Sequence, residues 1–209
     1  MVRVMKKRLT LILMCVAMLC MLVGCSSFSL SISSVGKDNT SAKRMAVAIN
    51  EDISSGRRSS GYQLYGIDMS LNSEGIGTAD LIYTKKLPQD LKYSDILIVS
   101  VDTRTGAINS VEDATFATHG TEPSETIVNG APLQIENWKQ DSGAALSTAQ
   151  QTFFDEDNFI YNYALVHASV TDGIEQYRIT FVSLVNHLQY ICRIDAMSGA
   201  VLSKEIIDL

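Results

Sequence analysis

One turn motif occurs twice in the chain, at Asp102 and again 93 residues later at Asp195, and it constrains the fold more than any other feature. Residues 191–203 alternate apolar and polar side chains, interrupt the alternation with Asp-Ala-Met-Ser-Gly, and then resume it. Residues 98–110 do the same around Asp-Thr-Arg-Thr-Gly. Alternation with a period of two indicates β-strands. The chain is therefore expected to contain two copies of one unit, each closing on a strand, a tight turn and a return strand.

Four residues are predicted to shape these turns. Asp102 and Asp195 open them, because an aspartate side chain can accept hydrogen bonds from backbone N–H groups a few residues further along. Gly106 and Gly199 close them, because glycine adopts at little steric cost the positive φ that such a turn requires. We treat these residues as structural turn residues, with no part in catalysis.

Each turn motif ends a similar series of predicted elements. In the first half, Ser41 precedes a stripe of apolar residues with the period of an amphipathic helix, and alternating segments follow it. In the second half, Asp141 and Ser142 cap a comparable helix, and Asp172-Gly173 is typical of a two-residue hairpin turn. Trp138, the single tryptophan, is predicted to pack the helix entry onto the sheet rather than to hold a ligand.

These elements predict an α+β fold of two tandem units. Each unit is expected to place one helix on its own antiparallel sheet of three to four strands, because a helix stripe and a one-sided sheet must bury each other. The units are assigned to residues 41–112 and 133–209. Residues 113–132, rich in threonine, proline, glycine and acids, are assigned to a linker between them.

Residues 1–24 are typical of an export signal. Arg3, Lys6, Lys7 and Arg8 precede an apolar run of about 15 residues, shorter than the roughly 20 residues that a membrane-spanning helix needs. The run ends in Leu-Val-Gly-Cys at 22–25, which resembles the bacterial lipobox. The resemblance implies cleavage between Gly24 and Cys25 and attachment of lipid, such as palmitate, to Cys25. An uncleaved anchor and a plain signal peptide are the alternatives.

A lipid on Cys25 would anchor the protein to a bacterial cell membrane, facing the extracytoplasmic side. The serine-rich residues 25–40 are predicted to form a tether to the body of the protein. Of 17 basic residues, four lie in the signal, so 13 remain against 23 acidic residues. Such an acidic body argues against nucleic acid as a partner, and it leaves the N-terminal lipid as the membrane contact.

The sequence contains none of the residue spacings that are typical of catalytic or metal sites. His119, His167 and His187 are far apart, without the His-x-x-x-His, His-Glu-x-x-His or Cys-x-x-Cys spacings of metal sites. A nucleophile elbow, a phosphate-binding glycine loop and a dinucleotide fingerprint are also missing. Cys192 alternates with apolar neighbours and is predicted to be a buried core thiol. We therefore expect a protein that is not an enzyme and that holds neither metal nor cofactor.

The second half resembles a PepSY-type domain. Two segments carry the resemblance: Trp-Lys-Gln-Asp-Ser-Gly-Ala-Ala at 138–145, and Tyr-Ile-Cys-Arg-Ile-Asp-Ala-Met-Ser-Gly-Ala-Val at 190–201. The resemblance covers about residues 133–207 and extends more loosely to the first unit, which has no tryptophan before its helix. It implies an α+β module of extracytoplasmic proteins and protease propeptides, in which the module chaperones or restrains a protease.

Two functions are compatible with these predictions. The first is a non-catalytic interaction module that holds an envelope protein, such as the protease that the resemblance implies, through a sheet edge or the helix-free sheet face. The alternative is a sensor of a small ligand or of envelope stress, with Tyr161, Tyr163 and Tyr190 lining a cleft between the two units. The simpler interpretation is that these tyrosines fill the core of the sheet.

Overall fold

The structure of the chain, a computed structural model, describes residues 30–35, 41–55, 61–85, 95–115, 131–156 and 159–209. Two α-helices, eight β-strands and one 3₁₀ helix lie in these ranges. In chain order they are α1 (Ala42–Ser55), β1 (Tyr62–Asn72), β2 (Gly77–Lys85), β3 (Asp95–Asp102), β4 (Ile108–Thr115), the 3₁₀ helix (Ile135–Asn137), α2 (Ser142–Phe153), β5 (Tyr163–Thr171), β6 (Ile174–Ser183), β7 (Leu188–Asp195) and β8 (Val201–Asp208).

All eight strands belong to one antiparallel sheet. The strand order is β4-β3-β2-β1-β5-β6-β7-β8, so each half of the chain contributes four consecutive strands. The predicted fold class, two tandem units with separate sheets, is therefore wrong. The two halves share a single sheet that carries both helices.

The pairing of β1 with β5 joins the two halves. Residues 67–72 of β1 pair in antiparallel register with residues 163–168 of β5. In two separate units each of these strands would be a sheet edge with unpaired backbone groups, and edge strands of this length are a liability. The alternation of side chains along a strand predicts which face each residue occupies, but it does not predict the neighbouring strand.

Both helices pack on the same face of the sheet, over one hydrophobic core. The apolar stripe predicted for the first helix is buried there, and α2 buries Ala145, Ala149 and Phe153 beside it. On the strands, alternate residues point into this core. They include Ile67, Met69 and Leu71 of β1, Leu81 and Tyr83 of β2, Val166 and Ala168 of β5, Tyr177, Ile179 and Phe181 of β6, and Tyr190, Cys192 and Ile194 of β7.

The N-termini of the two helices meet, and Asp141 caps both of them. Its Oδ1 accepts hydrogen bonds from the backbone N–H of Ser142 (2.7 Å) in α2 and of Lys43 (3.0 Å) in α1. The Ser41 hydroxyl donates to the same carboxylate and also accepts from the Arg44 N–H at 3.0 Å. Because the first N–H groups of a helix have no partner within it, one side chain here satisfies donors of two helices.

Part of the predicted tether lies against the β4 edge. Val35 N–H donates to the Gly106 carbonyl at 2.8 Å, and Ile108 N–H donates to the Ser33 carbonyl at 3.0 Å. Val35 is buried, and Leu30 and Ile32 pack against the core. Residues 30–35 are therefore attached to the body of the protein by backbone hydrogen bonds.

Within the described ranges, neither helix combines the length and the apolar character needed to cross a membrane. The predicted signal peptide, which ends at Gly24, and the predicted lipidation site Cys25 lie outside those ranges, as do His119 and residues 116–130 of the predicted linker. β4 continues to Thr115, three residues into the segment that the sequence assigned to the linker.

Candidate functional site

Five charged or titratable side chains form a line across the helix-free face of the sheet. Asp80 pairs with Asp68, Asp68 with His167, His167 with Arg178, and Arg178 with Arg193, on the adjacent strands β2, β1, β5, β6 and β7. Directly paired residues point to the same face, and the neighbours of Asp68 in β1 point into the core beneath the helices. We call this line the charged row.

A hydrogen-bonded pair occupies the centre of the charged row. The Nδ1 atom of His167 is hydrogen-bonded to Oδ1 of Asp68. The two side chains remain 39% and 50% exposed, respectively. The bond crosses the junction of β1 and β5, so it also connects the two halves of the chain. A His–carboxylate pair is part of many hydrolase sites, but within the described residues no serine or cysteine is hydrogen-bonded to His167.

Like charges are adjacent at both ends of the charged row. Asp80 lies directly opposite Asp68, and Arg178 lies directly opposite Arg193. Cross-strand pairs of like charge are destabilising, and in the part of the chain that the structure describes Asp80, Arg178 and Arg193 make no ion pair or side-chain hydrogen bond. The row is thus acidic at one end and basic at the other, and among the described residues Asp80, Arg178 and Arg193 have no partner of opposite charge.

A groove of about 430 Å³ runs along the charged row. Its wall includes Leu165, which is 42% exposed, between hydroxyl and amide side chains. Such a lining offers hydrogen-bond donors, acceptors and an apolar contact beside the charges. Besides four members of the row, the groove is lined by Met69, Ser70, Thr78, Leu165, Val166, Thr180 and Gln189.

Most of the charged row has no signal in the sequence. Only His167 is a candidate residue there, and no motif singles out Asp68, Asp80, Arg178 or Arg193. The pattern of alternation places each on a polar face, but only the order and register of the strands bring them into one line. The pairing of β1 with β5 is the step that the sequence could not supply.

The four predicted turn residues lie in two turns of the same geometry. Asp102 Oδ1 accepts from the N–H groups of Arg104 and Thr105, and Asp195 Oδ1 accepts from those of Met197 and Ser198, at 2.7–3.0 Å. Gly106 and Gly199 have φ values of 70° and 80°. Hydrogen bonds, chiefly with Thr105 and with Ser198, hold the pKa of Asp102 and of Asp195 below its usual range.

The remaining candidate residues lie in the core or apart from the charged row. Cys192 is buried in β7, and this burial raises the pKa of its thiol. Trp138 is also buried, stacks edge-on against Tyr177 at a centroid distance of 5.2 Å, and donates its indole N–H to Glu175. His187 lies in the turn before β7, with a φ of 56°. In the described ranges, no three His, Cys, Asp or Glu side chains converge as metal ligands.

The three tyrosines proposed for a ligand cleft do not come together. Tyr190 is fully buried beneath the helices, where Phe153 lies 5.4 Å from it between ring centroids. Tyr161 belongs to the same aromatic cluster, through Phe181 at 4.8 Å. Tyr163 pairs with Val182, so it lies on the opposite face of the sheet. Because β1 pairs with β5, the two halves meet in the sheet as adjacent strands rather than as the walls of a cleft.

No protein-family model matches the chain, and no curated protein is significantly similar to it in sequence. Among solved structures, the fold of the chain is similar to that of a candidate lipoprotein from Clostridium difficile 630. The TM-score is 0.50 and the sequence identity is 12%, and the match covers 84% of this chain and 100% of that chain. At this identity the similarity shows a shared fold. The resemblance of the second half to PepSY-type domains is not confirmed by these comparisons.

Proposed function

We propose that the protein is a non-catalytic binding module, held on the extracytoplasmic side of a bacterial cell membrane, and that its charged row contacts an envelope protein. The observation that carries this proposal is the pair of like charges at each end of the row, Asp80 opposite Asp68 and Arg178 opposite Arg193. A partner that presents basic groups over the first end and acidic groups over the second would remove both repulsions. The protease implied by the PepSY resemblance is one protein that such a surface could hold.

The dimensions of the charged row favour a protein over a small molecule. Neighbouring strands lie about 4.8 Å apart, so the five strands of the row span roughly 19 Å. Sites for small ligands are concave and bury most of the ligand, whereas Asp68 and His167 at the centre of this row are 50% and 39% exposed. An open, charged face of this length can be covered by a protein whose charges are complementary to it.

We expect charge reversal at either end of the charged row to lower the affinity for the partner by at least about 30-fold. A mismatched interfacial charge costs roughly 2 kcal/mol or more. A photo-crosslinking residue at Ser70, in the groove, should give a specific adduct in intact cells. That adduct should be lost in Asp80→Lys and in Arg178→Glu, while both proteins keep or slightly raise the unfolding midpoint of the parent, because each reversal removes a like-charge pair. The same crosslinker at Val47, exposed on α1, is the matched control and should give no such adduct.

An adduct that forms equally well in both charge-reversal variants would contradict the proposal. So would an adduct from Val47 and not from Ser70, because the contact would then involve the helices. A small molecule that shifts the unfolding temperature of the parent and not of Arg178→Glu would instead place a ligand site in this groove.

The membrane attachment is proposed to be the lipid on Cys25. The lipobox-like sequence carries this step, and the structural similarity to a candidate lipoprotein agrees with it. Labelled palmitate should enter the parent protein and Cys15→Ser, and it should not enter Cys25→Ser. Because one acyl chain gives only marginal membrane binding, the labelled protein should carry at least two chains and stay with the membrane in a high-salt wash. Equal labelling of Cys25→Ser would contradict lipidation at this residue.

A further inference from the structure

The β8 edge of the sheet is exposed along its whole length. All eight residues of β8 are exposed, and within the described part of the chain no strand pairs with its outer side. Val201 and Leu202 are each 43% exposed, and Ile206 is 41% exposed. Proteins usually protect an edge of this kind with charges, prolines or a covering segment, because its free backbone groups can pair with another strand. β8 carries charges, but it has no proline, and no described segment covers it.

At the opposite edge of the same sheet, a segment covers the place where β4 begins. Residues 33–35 lie antiparallel to residues 106–108, through a bridge between Ser34 and Ala107. Val35 donates to the Gly106 carbonyl, and Ile108 donates to the Ser33 carbonyl. The segment 30–35 has the sequence Leu-Ser-Ile-Ser-Ser-Val, which is uncharged and places apolar side chains beside small polar ones.

The turn before β8 presents the same backbone groups as the turn before β4. The Ala200 carbonyl accepts from Asp195 N–H at 2.9 Å, as the Ala107 carbonyl accepts from Asp102 N–H at 2.9 Å. In a trans peptide the carbonyl and the following N–H point in opposite directions. Because the Ala200 carbonyl points toward β7, the Val201 N–H points away from it, into the position that Ile108 N–H has at the other edge.

We propose that the β8 edge binds an extended, uncharged segment of a partner protein, with apolar side chains interspersed with serine-like ones. The segment would run antiparallel to β8, donating to the Gly199 carbonyl and accepting from the Val201 N–H. An apolar side chain next to the Val201 N–H would cover Leu202. Addition of a strand to a sheet edge is a general mode of peptide recognition. This site is separate from the charged row, and it does not depend on the function proposed for that row.

A synthetic peptide with the sequence of residues 29–36 tests this proposal on the full-length protein in detergent. At millimolar concentration the peptide should slow hydrogen exchange of the Val201 amide by about ten-fold, because a new hydrogen bond protects it. In Val201→Pro the edge has lost this donor, and a proline whose ring faces outward is tolerated in an edge strand. That variant should show no peptide-dependent protection anywhere in β8.

Two controls separate binding from folding. Ile108→Pro makes the matched change at the β4 edge, so it should release residues 30–35 and leave protection of Val201 by the peptide intact. A peptide with proline in place of Val35 lacks the N–H that would donate to Gly199, and it should not protect the parent protein. This second control holds whether or not Val201→Pro folds.

Two results would overturn the proposal. The first is equal protection of Val201 by the parent peptide and by its proline variant. The second is protection that needs no peptide and rises with protein concentration, which would show that a second copy of the chain occupies the edge.

Discussion

Replacement of Phe153 by alanine is expected to lower the free energy of unfolding by about 3–5 kcal/mol, as deletion of a buried aromatic ring commonly does. Phe153 is fully buried at the end of α2, where its ring centroid lies 5.4 Å from that of Tyr190 and 5.8 Å from that of Phe159. Its loss would leave a cavity between α2 and the sheet, and the neighbouring rings cannot close that cavity without moving the helix. Urea denaturation followed by circular dichroism measures the change.

The next residue supplies the control. Phe154 has the same side chain and is 80% exposed, so Phe154→Ala should change the free energy of unfolding by no more than about 0.5 kcal/mol. The two variants remove the same atoms from adjacent positions, and only the packing differs. Comparable losses from both would show that α2 does not present Phe153 to the sheet as described.

Asp141→Ala is expected to cost about 2–3 kcal/mol, more than the loss of an ordinary helix cap. A single cap contributes about 0.5–2 kcal/mol, and Asp141 accepts hydrogen bonds from the first turns of both α1 and α2. Its carboxylate also lies at the positive ends of two helix dipoles. Removal therefore leaves unsatisfied N–H groups on two helices at once, in a partly buried place.

Ser41→Ala and Asp141→Asn are the matched variants for this prediction. Ser41 accepts from Arg44 and donates to Asp141, but it caps α1 alone, so its replacement should cost about 1 kcal/mol. Asparagine keeps an oxygen acceptor without the charge, so Asp141→Asn should fall between the parent and Asp141→Ala. If Asp141→Ala costs no more than Ser41→Ala in urea denaturation, the shared cap is not a major source of stability.

The elements of the fold were predictable from local patterns. The stripe of α1 has the period of 3.6 that one buried helix face requires, and Asp172-Gly173 forms a tight turn in which both residues have positive φ, at 53° and 77°. These signals depend on residues within a few positions of one another. The element order therefore follows from the sequence, including four strands after each helix.

The arrangement of these elements was not predictable in the same way. The pairing of β1 with β5 brings together residues such as Asp68 and His167, which are 99 positions apart. Alternation is the same whether a strand lies at an edge or at the centre of a sheet, so it could not exclude two separate sheets. For the same reason the charged row could not be predicted, because Asp80 and Arg178 are aligned only through the pairing of β1 with β5.

The β1–β5 junction also affects how the chain is made. Asp68 and His167 are 99 positions apart, so β1 emerges well before β5, whether from the ribosome or across a membrane. Until β5 is available, one edge of β1 is unpaired. An extended segment of another chain can then pair with β1 in place of β5. Asp68, at the middle of this temporary edge, discourages such pairing because a charge there would face an apolar strand. Asp68, which belongs to the charged row in the folded protein, thus also disfavours wrong strand pairing before folding is complete.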